Sequence, residues 1–128
     1  MSMEQTLTGA EWNVMECLWE QAPRTGREAA QWLQEHAGWS RSTSLTMLRR
    51  MTQKGLLQMD DSGGRQTYAP LLDRAQAVRE ETGRFLDRVY QGSLSLLVST
   101  LVRDRDLTRA EREELLAILA RDGEASED

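Results

Sequence analysis

The chemistry of this chain is concentrated between residues 39 and 55, WSRSTSLTMLRRMTQKG. The stretch holds the hydroxyls of Ser42, Thr43 and Thr46, the guanidinium groups of Arg41, Arg49 and Arg50, the Gln53 amide and the Lys54 ammonium. Such groups hydrogen-bond base edges and phosphate oxygens. Wound at about 100° per residue, Ser42, Thr46, Arg49 and Gln53 share one face, flanked by Thr43 and Arg50 on one side and Leu45 on the other. Ser44, Met47, Leu48 and Met51 make the opposite, inward stripe. From His36 to Met59 there is no Asp or Glu, although the chain carries a formal charge of −5. A polyanion is the natural partner of such a face, the alternative being a solvated amphipathic helix whose outer side lacks carboxylates.

Enzymatic chemistry finds no comparable assembly. His36 is the sole histidine and Cys17 the sole thiol. Cys17 sits among core positions of a first helix and reads as a small buried hydrophobe rather than a nucleophile. His36, near a helix C-terminus, reads as an end charge or a solvated residue. No Cys/His cluster has metal-site spacing, and Gly63-Gly64 is a turn rather than a phosphate loop. Asp104, Asp106 and the Glu111–Glu114 group read as a solvated face, and Trp12, Trp19, Trp32 and Trp39 as core or core-edge residues. No catalytic residue, metal or cofactor is expected.

The elements that must position the 39–55 stretch follow from caps and periodicity. Thr8-Gly-Ala-Glu11 and Thr25-Gly-Arg-Glu28 have the capping-box form. The first opens a helix with Trp12, Met15, Leu18 and Trp19 on its stripe, closed by Gln21-Ala-Pro-Arg24. The second opens a helix with Ala29, Ala30 and Leu33 inward, closed at Ala37-Gly38. Ser40 caps the third helix and Gly55 suits its left-handed end. Leu56–Met59 and Gln66–Pro70 read as two strands joined by the turn Asp60-Asp-Ser-Gly-Gly64, with Pro70 marking an edge strand. The fold class is therefore mainly α: a winged helix-turn-helix of three helices plus a two-stranded β-hairpin wing, with Arg65 beside the wing tip, followed by a C-terminal helical dimerisation region.

Residues 1–72 form the DNA-binding domain on this reading and residues 73–128 the helical one. The first part carries seven basic against eight acidic residues, the second nine against thirteen. A helix over 73–90, weakened at Gly83, carries Val78, Phe85, Leu86 and Val89, and Gly92-Ser93 breaks and recaps the chain. Leu94, Leu97, Val98, Leu101 and Val102 continue as an apolar stripe, and Thr108-Arg-Ala-Glu111 opens a last helix with Leu115, Leu116, Ile118 and Leu119. Glu124–Asp128 reads as a frayed acidic tail. So much apolar surface in three helices calls for a partner chain, so Phe85, Val89, Leu94, Leu97, Val98 and Leu101 are the expected homodimer contacts. Mean hydropathy is −0.61, and no apolar run approaches the ~20 residues of a membrane span. The N-terminal MSMEQTLTGAEW has no secretory pattern, so a cytoplasmic location without membrane insertion is expected.

The ordered residues Glu11-Trp12, Leu18-Trp19, Trp39-Ser40, Thr43, Thr46, Arg50, Lys54-Gly55, Arg65, Tyr68 and Pro70 resemble the penicillinase-repressor family, the BlaI/MecI/CopY type. Phe85-Leu86, Val89-Tyr90, Gly92-Ser93-Leu94 and Asp106-Leu107-Thr108 with Glu111 resemble it too, so the likeness runs from about residue 7 to residue 119. The resemblance implies a cytoplasmic dimeric repressor on a palindromic operator, released when a membrane sensor protease leads to its cleavage. Family cleavage falls at an Asn-Phe bond, and the aligned pair here is Thr100-Leu101; the clustered cysteines of the copper-responsive branch are absent from residues 123–128. Within the expected DNA-binding set of Arg41, Ser42, Thr43, Thr46, Arg49, Arg50, Lys54 and Arg65, the first four are placed near bases, Arg49, Arg50 and Lys54 near phosphates, and Arg65 at the backbone or minor groove. The rival reading is a winged-helix protein-interaction module that binds no DNA.

Overall fold

The computed structural model describes residues 6–125. Helix α1 spans Gly9–Glu20, strand β1 Arg24–Thr25, α2 Gly26–Ala37 and α3 Arg41–Gln53. Strands β2 (Leu57–Asp60) and β3 (Thr67–Pro70) follow, then α4 (Arg74–Tyr90), α5 (Leu94–Asp104) and α6 (Arg109–Ala125). Two compact units are distinguished, one up to Thr82 and one from Gly83, and they part inside α4. Of the acidic tail expected at 124–128, residues 126–128 lie outside the described residues.

Local signals set the helix ends. Thr8 and Thr25 each accept a backbone N–H from the Glu three residues on, and that Glu returns the bond, so both capping boxes are formed. Thr108 and Glu111 repeat the arrangement before α6. The end of α3 is a Schellman motif: Leu56 N–H reaches Met51 O at 2.9 Å and Gly55 N–H reaches Thr52 O at 3.1 Å. Gly55 supplies the required left-handed conformation at φ +84°.

The core of the first unit gathers Val14, Met15, Cys17 and Leu18 of α1, Ala29 and Leu33 of α2, Leu48 and Met51 of α3, and Leu56 and Leu57. The four tryptophans pack partly buried around it. Trp12 and Trp19 meet edge to face at 5.3 Å, and Trp19 donates its indole N–H to Leu72 O at 2.9 Å.

The wing differs from the expected hairpin in one respect. Its sheet has three antiparallel strands in the order β1-β3-β2, with Arg24 opposite Tyr68 and Thr25 opposite Thr67. Two residues leave no period-2 pattern to read, so β1 is hidden in the sequence. Strand β3 is consequently central, which corrects the placing of Pro70 on an edge strand. Leu71 N–H bonds Leu56 O at 2.9 Å, and Pro70 faces Leu57 one step earlier. Hydrogen-bonded and non-bonded pairs alternate in such a ladder, so the Pro70 nitrogen points away from β2, on the side where β1 has already ended.

In the second unit α5 has no buried residue. Leu94, Leu96, Val98, Leu101, Leu116 and Leu119 are all exposed. No described helix is long and apolar enough to cross a membrane.

Candidate nucleic-acid interface

Helix α3 is seated by the residues the periodicity assigned inward. Ser44, Leu48 and Met51 are fully buried and Met47 is half-buried. Its middle lies close to the start of α2, where a Cβ added to Gly26 would come 3.1 Å from the Leu45 side chain. With this face fixed, Arg41, Ser42, Thr43, Arg49, Arg50 and Gln53 are exposed and Thr46 is partly so.

The N-terminal turn of α3 is a hydroxyl cluster. Ser40 Oγ accepts Thr43 N–H at 3.2 Å, donates to Thr43 Oγ1 at 3.0 Å and lies 3.3 Å from Ser42 Oγ. These contacts preset the hydroxyls that the sequence assigned to bases. Helices α1 and α2 carry a Glu in their first turns, Glu11 and Glu28, whereas α3 carries none. The partial positive charge of the α3 N-terminus therefore has no carboxylate of its own to offset it, which favours an anion there.

The cations of this region separate into two groups. Arg24 pairs with Glu20 at 3.0 Å, and Lys54 Nζ pairs with Glu11 Oε2 at 2.5 Å. Arg27, Arg41, Arg49, Arg50 and Arg65 have no ion pair among the described residues. Four of the five basic residues expected to contact DNA are thus unpaired. The fifth, Lys54, caps the C-terminal end of α3 and ties it to the buried carboxylate of Glu11. Burial opposes ionisation of Glu11, but the Lys54 ammonium and the Thr8 N–H together hold its pKa below the ordinary 4.5.

Three open grooves flank α3. Ser42, Thr43, Thr46, Met47 and Arg50 line one, bringing expected base- and phosphate-contacting residues together. Between α3 and the wing, Arg49 and Gln53 face Gln66 and Tyr68. On the α2 side, Arg27, Gln31 and Gln34 join Arg41. Gln66 and the α2 residues were not anticipated. The i, i+4, i+7 spacing of Arg27, Gln31 and Gln34 was legible, but only the packing of α2 on α3 places them beside Arg41. Arg65 lies exposed in the wing turn, where Asp60 accepts Ser62 N–H at 2.9 Å.

Groups away from this face take other roles. Burial pushes the Cys17 thiol up to about 11, with Glu20 adding to the rise and Arg24 opposing it, so the thiolate is suppressed. His36 is exposed and stacked on Trp32 at 3.9 Å in the last turn of α2. Among the expected dimer residues, Phe85, Val89, Leu94, Val98 and Leu101 are exposed and Leu97 is half-buried, while the Thr100-Leu101 bond lies inside α5.

A three-helix core with a β-wing, presenting an acid-free helix set with unpaired arginines, defines a winged helix-turn-helix module of the kind that docks on duplex nucleic acid. The chain belongs to the penicillinase repressor family, whose model matches residues 7–121. It is 30% identical over 113 residues to the penicillinase repressor of Bacillus licheniformis, spanning 88% of either chain. It is 27% identical to the methicillin resistance regulatory protein MecI of Staphylococcus aureus, over 88% of this chain and 92% of that one. Among solved structures it is similar to the monomeric form of Bacillus licheniformis BlaI in complex with the blaP half-operator (TM-score 0.52, 29% identity, 59% of this chain and 92% of that one). It is also similar to the DNA-binding domain of the repressor BlaI (TM-score 0.50, 29% identity, 59% and 92%).

Proposed function

We propose that the chain is a homodimeric transcriptional repressor that reads a palindromic operator through α3 of each protomer and lets go in response to an inducing signal. The observation that carries this reading is the set of arginines without carboxylate partners around an acid-free helix face. Arg41, Ser42, Thr43 and Thr46 are assigned to base edges, because the N-terminal residues of a recognition helix lie deepest in the major groove. Arg49 and Arg50 are assigned to phosphates and Arg65 to the backbone or minor groove. A protein-docking face would instead carry aromatic or apolar anchors, so nucleic acid is favoured over the protein-interaction module.

The helical half, opening with α4, supplies the second copy's seat. Leu94, Val98 and Leu101 are exposed along α5, as are Leu116 and Leu119 of α6, and burying one such side chain contributes roughly 1.5–3 kcal/mol. Similarity to a BlaI monomer on a half-operator supports one protomer per half-site. The resemblance to the family supports a cytoplasmic repressor whose signal arrives through a membrane sensor protease.

Selecting duplexes from a random-sequence pool with the full-length protein tests the reading. A dyad-symmetric site is expected. Arg49→Ala should weaken binding to all duplexes, and Thr46→Ala should change preference at one or two base pairs. A selected site without dyad symmetry, or affinity indifferent to salt, would overturn the proposal.

A further inference from the structure

Helix α2 presents a row of donors that the sequence reading did not assign. Arg27, Gln31 and Gln34 fall on one helix face, are exposed, and line the same open groove as Arg41 at the start of α3. None of the four side chains has a hydrogen bond or ion pair among the described residues. The neighbouring Glu28 is committed elsewhere: it accepts Thr25 N–H at 2.8 Å to cap the helix, and its pKa is lowered mainly by that bond. Glu35 is the one carboxylate that also lines the groove. The Arg27 guanidinium and the two amides, lining an open trough beside the base-assigned Arg41, suit consecutive phosphates of one strand, since such groups contact the backbone and fix register without reading sequence.

We propose that Arg27, supported by Gln31 and Gln34, is a phosphate-contacting row on α2 that clamps the DNA backbone beside α3, and that it, rather than Lys54, completes the cationic set of the protomer. The proposal rests on the DNA-binding reading above. Lys54 is turned to the buried Glu11 and serves to position the end of α3; releasing it to a phosphate would leave that carboxylate buried without its cation. The cationic set stays at five residues per protomer, with Arg27 in place of Lys54, but its outline on the DNA changes. It extends along α2 instead of past the C-terminal end of α3.

The test measures log K against log[salt] for a duplex selected from the random pool and for a shuffled duplex. Each phosphate contact contributes about 0.9 to the slope, so Arg27→Gln in both protomers should reduce its magnitude by ~2 and weaken the two duplexes by similar factors. Arg27→Lys should restore the slope. Arg27 is exposed and unpaired, so circular dichroism of its variants should match the parent. The Glu11→Gln/Lys54→Gln double variant, which leaves no orphaned buried charge, should keep the parental slope while melting at a lower temperature. An unchanged slope in Arg27→Gln, with Arg49→Gln reducing it, overturns the α2 row and leaves the DNA reading standing. A loss of slope in the double variant matching that of Arg27→Gln overturns the role given to Lys54. Failure of the parent protein to retain any duplex overturns both the DNA reading and this inference.

Discussion

Glu11 joins two jobs in one carboxylate. Its Oε1 accepts Thr8 N–H at 2.9 Å, closing the cap of α1, and its Oε2 takes Lys54 from 43 residues away. The side chain is 6% exposed whereas that of Lys54 is 50% exposed, so the pair is half screened. Because the folded pKa lies below 4.5, the stabilisation is present above that value and is lost as the pH falls through the folded pKa. Glu11→Gln should therefore cost about 1–2 kcal/mol at pH 7, and the gap to the parent should narrow once the pH is taken below 4.5 and through the folded pKa. Urea melts at the two pH values check this; a gap that stays constant would remove the charge from the account. Ser44 gives the opposite case, a fully buried hydroxyl with no hydrogen-bond partner. Leaving such a group unpaired costs free energy, and Ala is the better helix former, so Ser44→Ala should be neutral or stabilising by up to about 1 kcal/mol. Loss of stability in thermal melts would show a partner for the hydroxyl. The inward placing of Ser44 was legible from its spacing with Leu48 and Met51, and the Thr8 to Glu11 cap from four adjacent residues. The Glu11–Lys54 pair was not, because nothing local links positions so far apart in the chain.

At the scale of elements, ends were more legible than pairings. Gly38 and Gly55 were placed at helix termini from sequence, and both adopt positive φ there, +72° and +84°. Each marks a backbone conformation that a side chain disfavours by roughly 1–2 kcal/mol. Gly55→Ala should thus destabilise by about 1 kcal/mol and loosen the end of α3, even though an added Cβ would meet nothing within 4 Å. Gly63, in the wing turn, has equally open surroundings and no positive φ, so Gly63→Ala serves as the control and should change stability little. Equal losses for the two variants would show that crowding or turn geometry, not the left-handed end, sets the cost. The wing shows where local signals stop. Its two long strands have hydrophobic and turn signatures, but β1 is two residues that double as the N-cap region of α2. Its pairing with Tyr68 and Thr67 follows from the docking of α1 and α2, which no short window contains. The site divides in the same way. The exposed face of α3 follows from its period, whereas the meeting of Arg49 and Gln53 with Gln66, and of Arg41 with Arg27, depends on how neighbouring elements pack.

For the whole molecule, the proposed dimerisation and the proposed release bear on the same helix. Leu101 is 45% exposed on α5, so Leu101→Asp should leave the protomer folded while placing two carboxylates in the proposed dimer contact. Sedimentation should show monomer at concentrations where the parent is dimeric, with operator affinity falling in step; an unchanged dimer would move the interface elsewhere. The same residue forms half of the bond aligned with the family's cleavage site. Thr100-Leu101 lies within α5, and Thr100 Oγ1 donates to Leu96 O at 3.0 Å, one turn back. A protease needs extended backbone, so this turn must open first, and a dimer covering Leu101 would hold it closed. Opening alone does not make the site a substrate for a protease shaped around Asn and an aromatic ring. Thr offers a branched hydroxyl in place of an amide, Leu an aliphatic group in place of the ring, and a pocket built to hydrogen-bond one group rejects its absence by large factors. Two expectations separate these barriers. Limited proteolysis with a broad-specificity protease should cut α5 faster in Leu101→Asp than in the parent, because only the dimer's protection is removed. In cells exposed to a β-lactam, the full-length protein should persist on a blot, with release depending on a protease of different preference or on a non-proteolytic effector. A rapid clean cut between Thr100 and Leu101 under that treatment would show that the substitution is tolerated and that cleavage of the dimer helix is the release step here as well.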